Sequence, residues 1–254
     1  MGLPVLDLTQ QSLAPAVRRA LRPARFPRLS ALIGKSLASY YRLIGKDRYD
    51  DYRLERVAGV PILVTPSVFN PKTPRTGAFL AKHLDERLIN ADDEVLDMGT
   101  GSGVCALFAA RYARRVLAVD INPAAVRCAT INAYLNHFEE RIELRHGDLF
   151  APVRGERFDL IVFNPPFLRA APRNDRDRAW RSTDVAERFA AALGEHLKPG
   201  GVALLVLSTF GHAQVYLEEL RRRGFAISVL AERRFVNERL VIFRLEPRVL
   251  RNPA

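Results

Sequence analysis

The sequence predicts an α/β fold on a mostly parallel sheet, and three observations carry that reading. Short apolar strands alternate with helical stretches from residue 78 onward. Three successive strands run into acids, Asp97, Asp120 and Asp148, at the sheet edge where open α/β folds bind ligands. The first of these strands passes directly into the glycine-rich turn Gly99-Thr100-Gly101-Ser102-Gly103 and then into a helix.

The elements follow in chain order. Residues 1–46 hold eight basic residues and one acid, Asp7. Leu13, Val17 and Leu21 mark one helical stretch. Leu29, Leu32, Ile33, Leu37, Tyr40, Tyr41 and Ile44 mark a second, which Gly45 stops, and Pro23 and Pro27 separate the two. Three readings of this segment stand side by side: a cap that grips an anionic substrate, a docking subdomain with a solvated charged face, or an Arg-rich transit leader. Tyr52–Phe69 reads as strands, with Pro61 inside the apolar run Val60–Val64. Helices are expected at Ala78–Ile89, Val104–Ala113, Pro123–Phe138, Asp184–Leu197 and Ala213–Arg223. Strands are expected at Glu94–Asp97, Val116–Asp120, Ile142–Arg145, Phe158–Phe163, Val202–Leu207, Phe225–Leu230 and Leu240–Leu245. The chain thus divides into a basic extension, 1–64, and a larger domain, 65–254.

Composition narrows the function classes. With 254 residues, 48% hydrophobic and 26% charged, the chain has a globular balance and length enough for a sizeable core. Strictly apolar runs such as Val202–Leu207 are far short of the ~20 residues of a membrane span, so no membrane association is expected. Two cysteines make neither a disulfide framework nor a four-cysteine zinc site, and a cytoplasmic location is the default. The five histidines lack ligand spacing, so no metal is expected. Net charge is +11, yet only five of the 39 basic residues are lysines. An arginine excess of that kind follows either from a nucleic-acid or acidic partner or from genome composition.

The glycine loop is not a phosphate clamp. A G-x-G-x-x-G fingerprint starting at Gly99 needs glycine where Val104 stands, and the G-K-[ST] of a P-loop is absent. Asp120, at the tip of the second strand, is placed to accept hydrogen bonds from both ribose hydroxyls. Asp148 is placed to accept from an exocyclic adenine amine. Together these groups describe an adenosine pocket. The fourth strand opens into Asn164-Pro165-Pro166-Phe167. Its prolines remove two donors, while the Asn164 side-chain oxygen and the Pro165 carbonyl can accept both hydrogens of a planar NH2 group. Phe167 offers a ring for stacking.

These motifs resemble those of the class I S-adenosylmethionine-dependent methyltransferases over roughly Val68–Leu245. V-L-D-M-G-T-G-S-G (Val95–Gly103), L-A-V-D-I-N (Leu117–Asn122), G-D-L (Gly147–Leu149) and L-K-P-G-G (Leu197–Gly201) carry the resemblance, and N-P-P-F is similar to the N-P-P-[FY] motif of the amino-methylating branch. The resemblance implies a Rossmann-like fold with a seven-stranded sheet and S-adenosyl-L-methionine as cofactor. It implies cofactor contacts from Asp97, Gly99, Thr100, Gly101, Gly103, Asp120, Ile121, Asn122, Asp148, Leu149 and Asn164, and acceptor handling by Asn164, Pro165 and Phe167. Within the branch, Arg178-Ala179-Trp180 and N-E-R-L-V-I-F-R (Asn237–Arg244) are similar to release-factor glutamine methyltransferases. Phe167 in place of tyrosine, Pro66-Ser67-Val68-Phe69 and Thr76-Gly77 are similar to ribosomal RNA guanine methyltransferases, although Leu168 stands where those enzymes often have histidine. The expected acceptor is the N5 amide of a glutamine in a translation release factor. The alternative is an exocyclic base amine of RNA or DNA, with the basic N-terminal segment as a nucleic-acid contact, and a non-catalytic binding module is disfavoured. The Arg-rich stretch Leu168–Arg181 is expected either as a lid over the acceptor or as a solvated loop.

Overall fold

The computed structural model describes residues 15–20, 51–72, 75–166, 168–171, 181–209, 211–235 and 238–248. Phe167, most of the Arg-rich stretch 168–181 and the apolar stripe Leu29–Ile44 lie outside the described residues. Eleven strands are present among those described: β1 Arg53–Val57, β2 Val60–Val64, β3 Glu94–Met98, β4 Arg115–Asp120, β5 Ile142–His146, β6 Phe158–Phe163, β7 Leu168–Arg169, β8 Arg181–Ser182, β9 Leu197–Ser208, β10 Phe225–Arg234 and β11 Arg239–Pro247. The helices are α1 Pro15–Ala20, α2 Thr76–Ala81, α3 Val104–Ala109, α4 Pro123–Leu135, α5 Val185–Ala192 and α6 Ala213–Arg222.

Seven strands form the central sheet in the order β10-β11-β9-β6-β3-β4-β5. β5, β4, β3, β6 and β9 run parallel, and β11 is antiparallel to both of its neighbours. The inner parallel strands are largely apolar because helices cover both faces, whereas the edge strand β5 carries Glu143 and Arg145. Their side chains alternate: Val95, Val116 and Leu160 pack with α2, α3 and α4, while Leu96, Leu117 and Ile161 pack with α1, α5 and α6. Strand order reverses between β3 and β6, and the ends of both lie at the ligand-binding edge.

The β1–β2 hairpin docks on α4 through one buried side chain. Asn132 accepts from the Leu63 amide (2.7 Å) and donates to the Leu63 carbonyl (2.6 Å) and to the Ser102 carbonyl (2.8 Å). The amide therefore imitates a pairing strand and also pins the glycine loop. Asn136 donates to the Pro61 carbonyl (3.0 Å), and the Cys128 thiol lies 3.2 Å from the Leu63 carbonyl. α1 buries Val17 and Ala20 in the core on the opposite face of the sheet. Arg239 donates to the Arg19 carbonyl (2.7 Å).

Several element ends differ from the sequence expectation, and two show why. The helix expected at Ala78–Ile89 ends at Ala81. There the His83 and Leu84 amides shift to the Leu80 and Ala81 carbonyls, and Asp85 starts a separate turn by accepting from the Arg87 amide (3.1 Å). An aspartate that satisfies a local amide competes with helix continuation. The strand expected at Val202–Leu207 extends over Leu197–Ser208. Lys198 anchors its start by pairing with Asp159 on β6 (2.8 Å) and Glu94 on β3 (3.0 Å).

Candidate active site

A cleft of about 400 Å³ opens at the carboxyl ends of β3, β4, β5 and β6. Its walls include Asp97, Gly99, Thr100, Gly101, Asp120, Ile121, Asn122, Asp148, Leu149 and Asn164. Gly103 and Pro165 adjoin these residues in the chain but are not among the lining residues, and Phe167 lies outside the described residues.

Gly103 is the left-handed residue (φ 81°) at the N-terminus of α3, and a Cβ there would lie 3.0 Å from the Ala129 Cβ. Its task is close packing of helix on helix, which a side chain would prevent. Gly101 is also left-handed (φ 57°), but a Cβ there would meet no heavy atom within 4 Å. That space belongs to the cleft.

Two acids organise the loop, Asp97 buried and Asp120 half-buried. Asp97 Oδ2 accepts from Thr100 Oγ1 (2.7 Å) and the Ala106 amide (2.9 Å). Burial pushes its carboxyl up to about 7, against those two hydrogen bonds, and the nearby Asp120 charge adds to the rise. Asp120 accepts from the Gly101 amide at Oδ2 and from the Asn122 amide at Oδ1, both at 2.8 Å. Burial raises Asp120 as well, opposed by those amides. Asn122 caps α4 by accepting from the Ala124 amide (2.9 Å) and donates to the Ser67 carbonyl (3.1 Å). Asp148 accepts from Arg188 of α5 (2.5 Å).

On the β6 side, Asn164 follows a strand held from behind by rings. Phe163 packs on Phe189 (centroids 4.8 Å apart), and Phe189 stacks on Phe150 (5.6 Å). The Tyr216 hydroxyl of α6 donates to the Pro166 carbonyl (3.4 Å). Pro165 is buried. The side-chain oxygen of Asn164 is buried and has no hydrogen-bond donor among the described residues. A buried acceptor without a donor costs about 1–3 kcal/mol, a cost that a donor entering the adjoining cleft would relieve.

Sequence reasoning did not assign three contributors. Ser67–Phe69 forms a strap on the cleft wall, with Ser67 left-handed (φ 67°). Its proline-rich context was the available signal. Arg188 and Tyr216 reach the site only through tertiary packing, and nothing local marks them.

Residues 59–231 match the model of the methyltransferase small domain. The chain belongs to the methyltransferase small domain family. The ribosomal RNA small subunit methyltransferase C of Alcanivorax borkumensis is 34% identical over 63% of this chain and 50% of its own length, so this methyltransferase spans about half of that relative. A Methanocaldococcus jannaschii protein, a candidate protein N5-glutamine methyltransferase, is 30% identical over 73% of this chain and 95% of its own length. Among solved structures, a T. thermophilus 16S rRNA N2 methyltransferase in complex with AdoMet and guanosine superposes with a TM-score of 0.60 at 26% identity, covering 78% of this chain and 50% of that one. The Rossmann-like fold expected from the sequence is the fold this methyltransferase has.

Proposed function

We propose that this methyltransferase moves a methyl group to the N5 amide nitrogen of a glutamine in a translation protein, a release factor being the best fit. The observation that carries the planar-NH2 reading is the buried, undonated Asn164 oxygen at the mouth of an N-P-P corner. The relative matched over 95% of its length supports glutamine as the acceptor.

S-adenosylmethionine is the cofactor, and bound in the cleft it supplies an electrophilic methyl on a sulfonium. The open space at Gly101 and the carboxylates of Asp120 and Asp148 fit a nucleoside with no phosphate. Asp120 receives the ribose hydroxyls. Asp148 offers its second oxygen to the adenine amine while Arg188 keeps the first. Gly99–Gly103 takes the methionine part, and Asp97 shapes that turn through Thr100 and Ala106.

Asn164 Oδ1 and the Pro165 carbonyl accept the two amide hydrogens, which raises electron density on nitrogen and turns its lone pair toward the methyl carbon. With the cofactor bound, the amide nitrogen would take its methyl as the S–C bond gives its electron pair back to sulfur, and Asn164 and Pro165 would hold the nitrogen in line for this. The nitrogen proton leaves afterward to water. No strong base is required, because alignment at ~3 Å and oriented dipoles supply the catalysis.

A second reading, methylation of a base amine in RNA, draws on the rRNA methyltransferase relative and on the guanosine-bound structure. Purified protein given labelled cofactor with a glutamine-bearing release-factor peptide or with ribosomal RNA separates the two. Label on the glutamine amide is expected, and label only in RNA overturns the reading.

A further inference from the structure

The acceptor side of the sheet edge carries a charged feature that methyl transfer does not use. β10 ends in Arg233, Arg234 and Phe235, and the register Arg233↔Leu240 and Leu240↔Ser208 puts this end at the same edge as Asn164. From β6 to β10 is three strand spacings, about 14 Å. Arg75, which immediately precedes α2, places its guanidinium 5.2 Å from the Phe235 ring, and Arg233 places its own at 5.3 Å. Arg75 is left-handed (φ 76°), and both arginines are exposed. Neither has an ion-pair partner among the described residues. Glu238 accepts from the Ser208 hydroxyl (2.5 Å), and Arg75 acts on its carboxylate without a direct ion pair.

We propose that Arg75, Phe235 and Arg233 form a docking point for carboxylates that flank the acceptor glutamine. This rests on the protein-amide reading above. Two guanidiniums held over one ring are pre-oriented for carboxylates and give up little freedom on binding. The patch is too short to track a nucleic-acid backbone, which needs a run of phosphate-contacting cations. The neighbouring arginines are engaged: Arg234 with Glu232, Arg239 with the Arg19 carbonyl and Arg188 with Asp148. The Phe235 ring already carries two guanidiniums and packs partly against the core, so it is a poor platform for stacking a base.

The test uses the full chain and three glutamine peptides with acidic, neutral or lysine-rich flanks. The wild type is expected to favour the acidic peptide over the neutral one by about tenfold in kcat/KM, the sum of two modest charge contacts, with the preference shrinking as salt rises. In the Arg75→Asn, Arg233→Thr double variant that ratio should fall to about one. Asparagine tolerates the left-handed backbone at 75. Arg233→Glu should shift the preference toward the lysine-rich peptide, and Arg233→Lys should keep most of the acidic preference. Cofactor affinity within about twofold of wild type certifies that each variant is folded, and the wild-type flank and salt series decides the matter if a variant fails. Methylation of all three peptides at equal rates by the wild type overturns the docking proposal alone. Labelling of RNA with no peptide labelled overturns the amide reading and this inference with it.

Discussion

The two halves of one sheet edge are built by different means. The cofactor half, at the ends of β3, β4 and β5, is made of one hydroxyl and three backbone amides locked to two strand-end carboxylates: Thr100 Oγ1 and the Ala106 amide on Asp97, the Gly101 and Asn122 amides on Asp120. The acceptor half, at the ends of β6, β9 and β10, is made of rings and arginines brought together across the chain: Phe163 on Phe189, Tyr216 on Pro166, Arg75 and Arg233 on Phe235. A half that binds one fixed cofactor is served by short-range geometry. A half that distinguishes acceptors is served by exposed side chains, which change without disturbing the core.

Three experiments sharpen that contrast, from the largest effect to the smallest. The strand-end acids give the cofactor half a pH signature. The Asp97 carboxyl is raised to about 7 in the fold, above its unfolded value near 4, so the folded state holds a proton that the unfolded state has lost. The stabilising preference is full below about pH 4 and is lost as pH rises through 7, a change of about 4 kcal/mol. Asp97→Asn should flatten this slope in denaturant titrations between pH 4 and 8. A slope unchanged by the substitution would mean that Asp97 is ionised throughout. Second, Asn132→Leu removes three hydrogen bonds that hold the Leu63 strand and the Ser102 turn, and should cost about 3 kcal/mol of stability. An equal loss of cofactor affinity would show that the glycine loop needs this pin. Third, Arg188→Ala removes the link from α5 to Asp148. The pair is partly exposed, so cofactor binding should weaken by only about twofold to fivefold by titration calorimetry. Tighter binding in the variant would mean that Arg188 competes with adenine for Asp148.

The sequence showed the cofactor half more fully than the acceptor half, and the reason is distance along the chain. Glycine spacing, strand-end acids and N-P-P-F are local patterns, so Asp97, Gly101, Asp120, Asp148 and Asn164 were all assigned and all line the cleft. Gly103 also carries a packing duty against Ala129 that glycine spacing alone does not reveal. Asn132 meets Leu63 across 69 residues, Tyr216 meets Pro166 across 50 and Arg188 meets Asp148 across 40, with no periodicity to reveal any of them. The early end of α2 was missed because Asp85 favours a turn within an otherwise helical pattern.

Asn164 stands between the halves, and replacing it by alanine tests the account most directly. Single-turnover methylation of a glutamine peptide and equilibrium binding of S-adenosylmethionine are measured on the same Asn164→Ala protein. Turnover should fall by at least about 10²–10³-fold, as when one preorganised polar contact to the reacting group is lost, while cofactor affinity stays within about threefold. Loss of both in equal measure would contradict the account, since Asn164 would then be supporting the cleft and not holding the acceptor nitrogen.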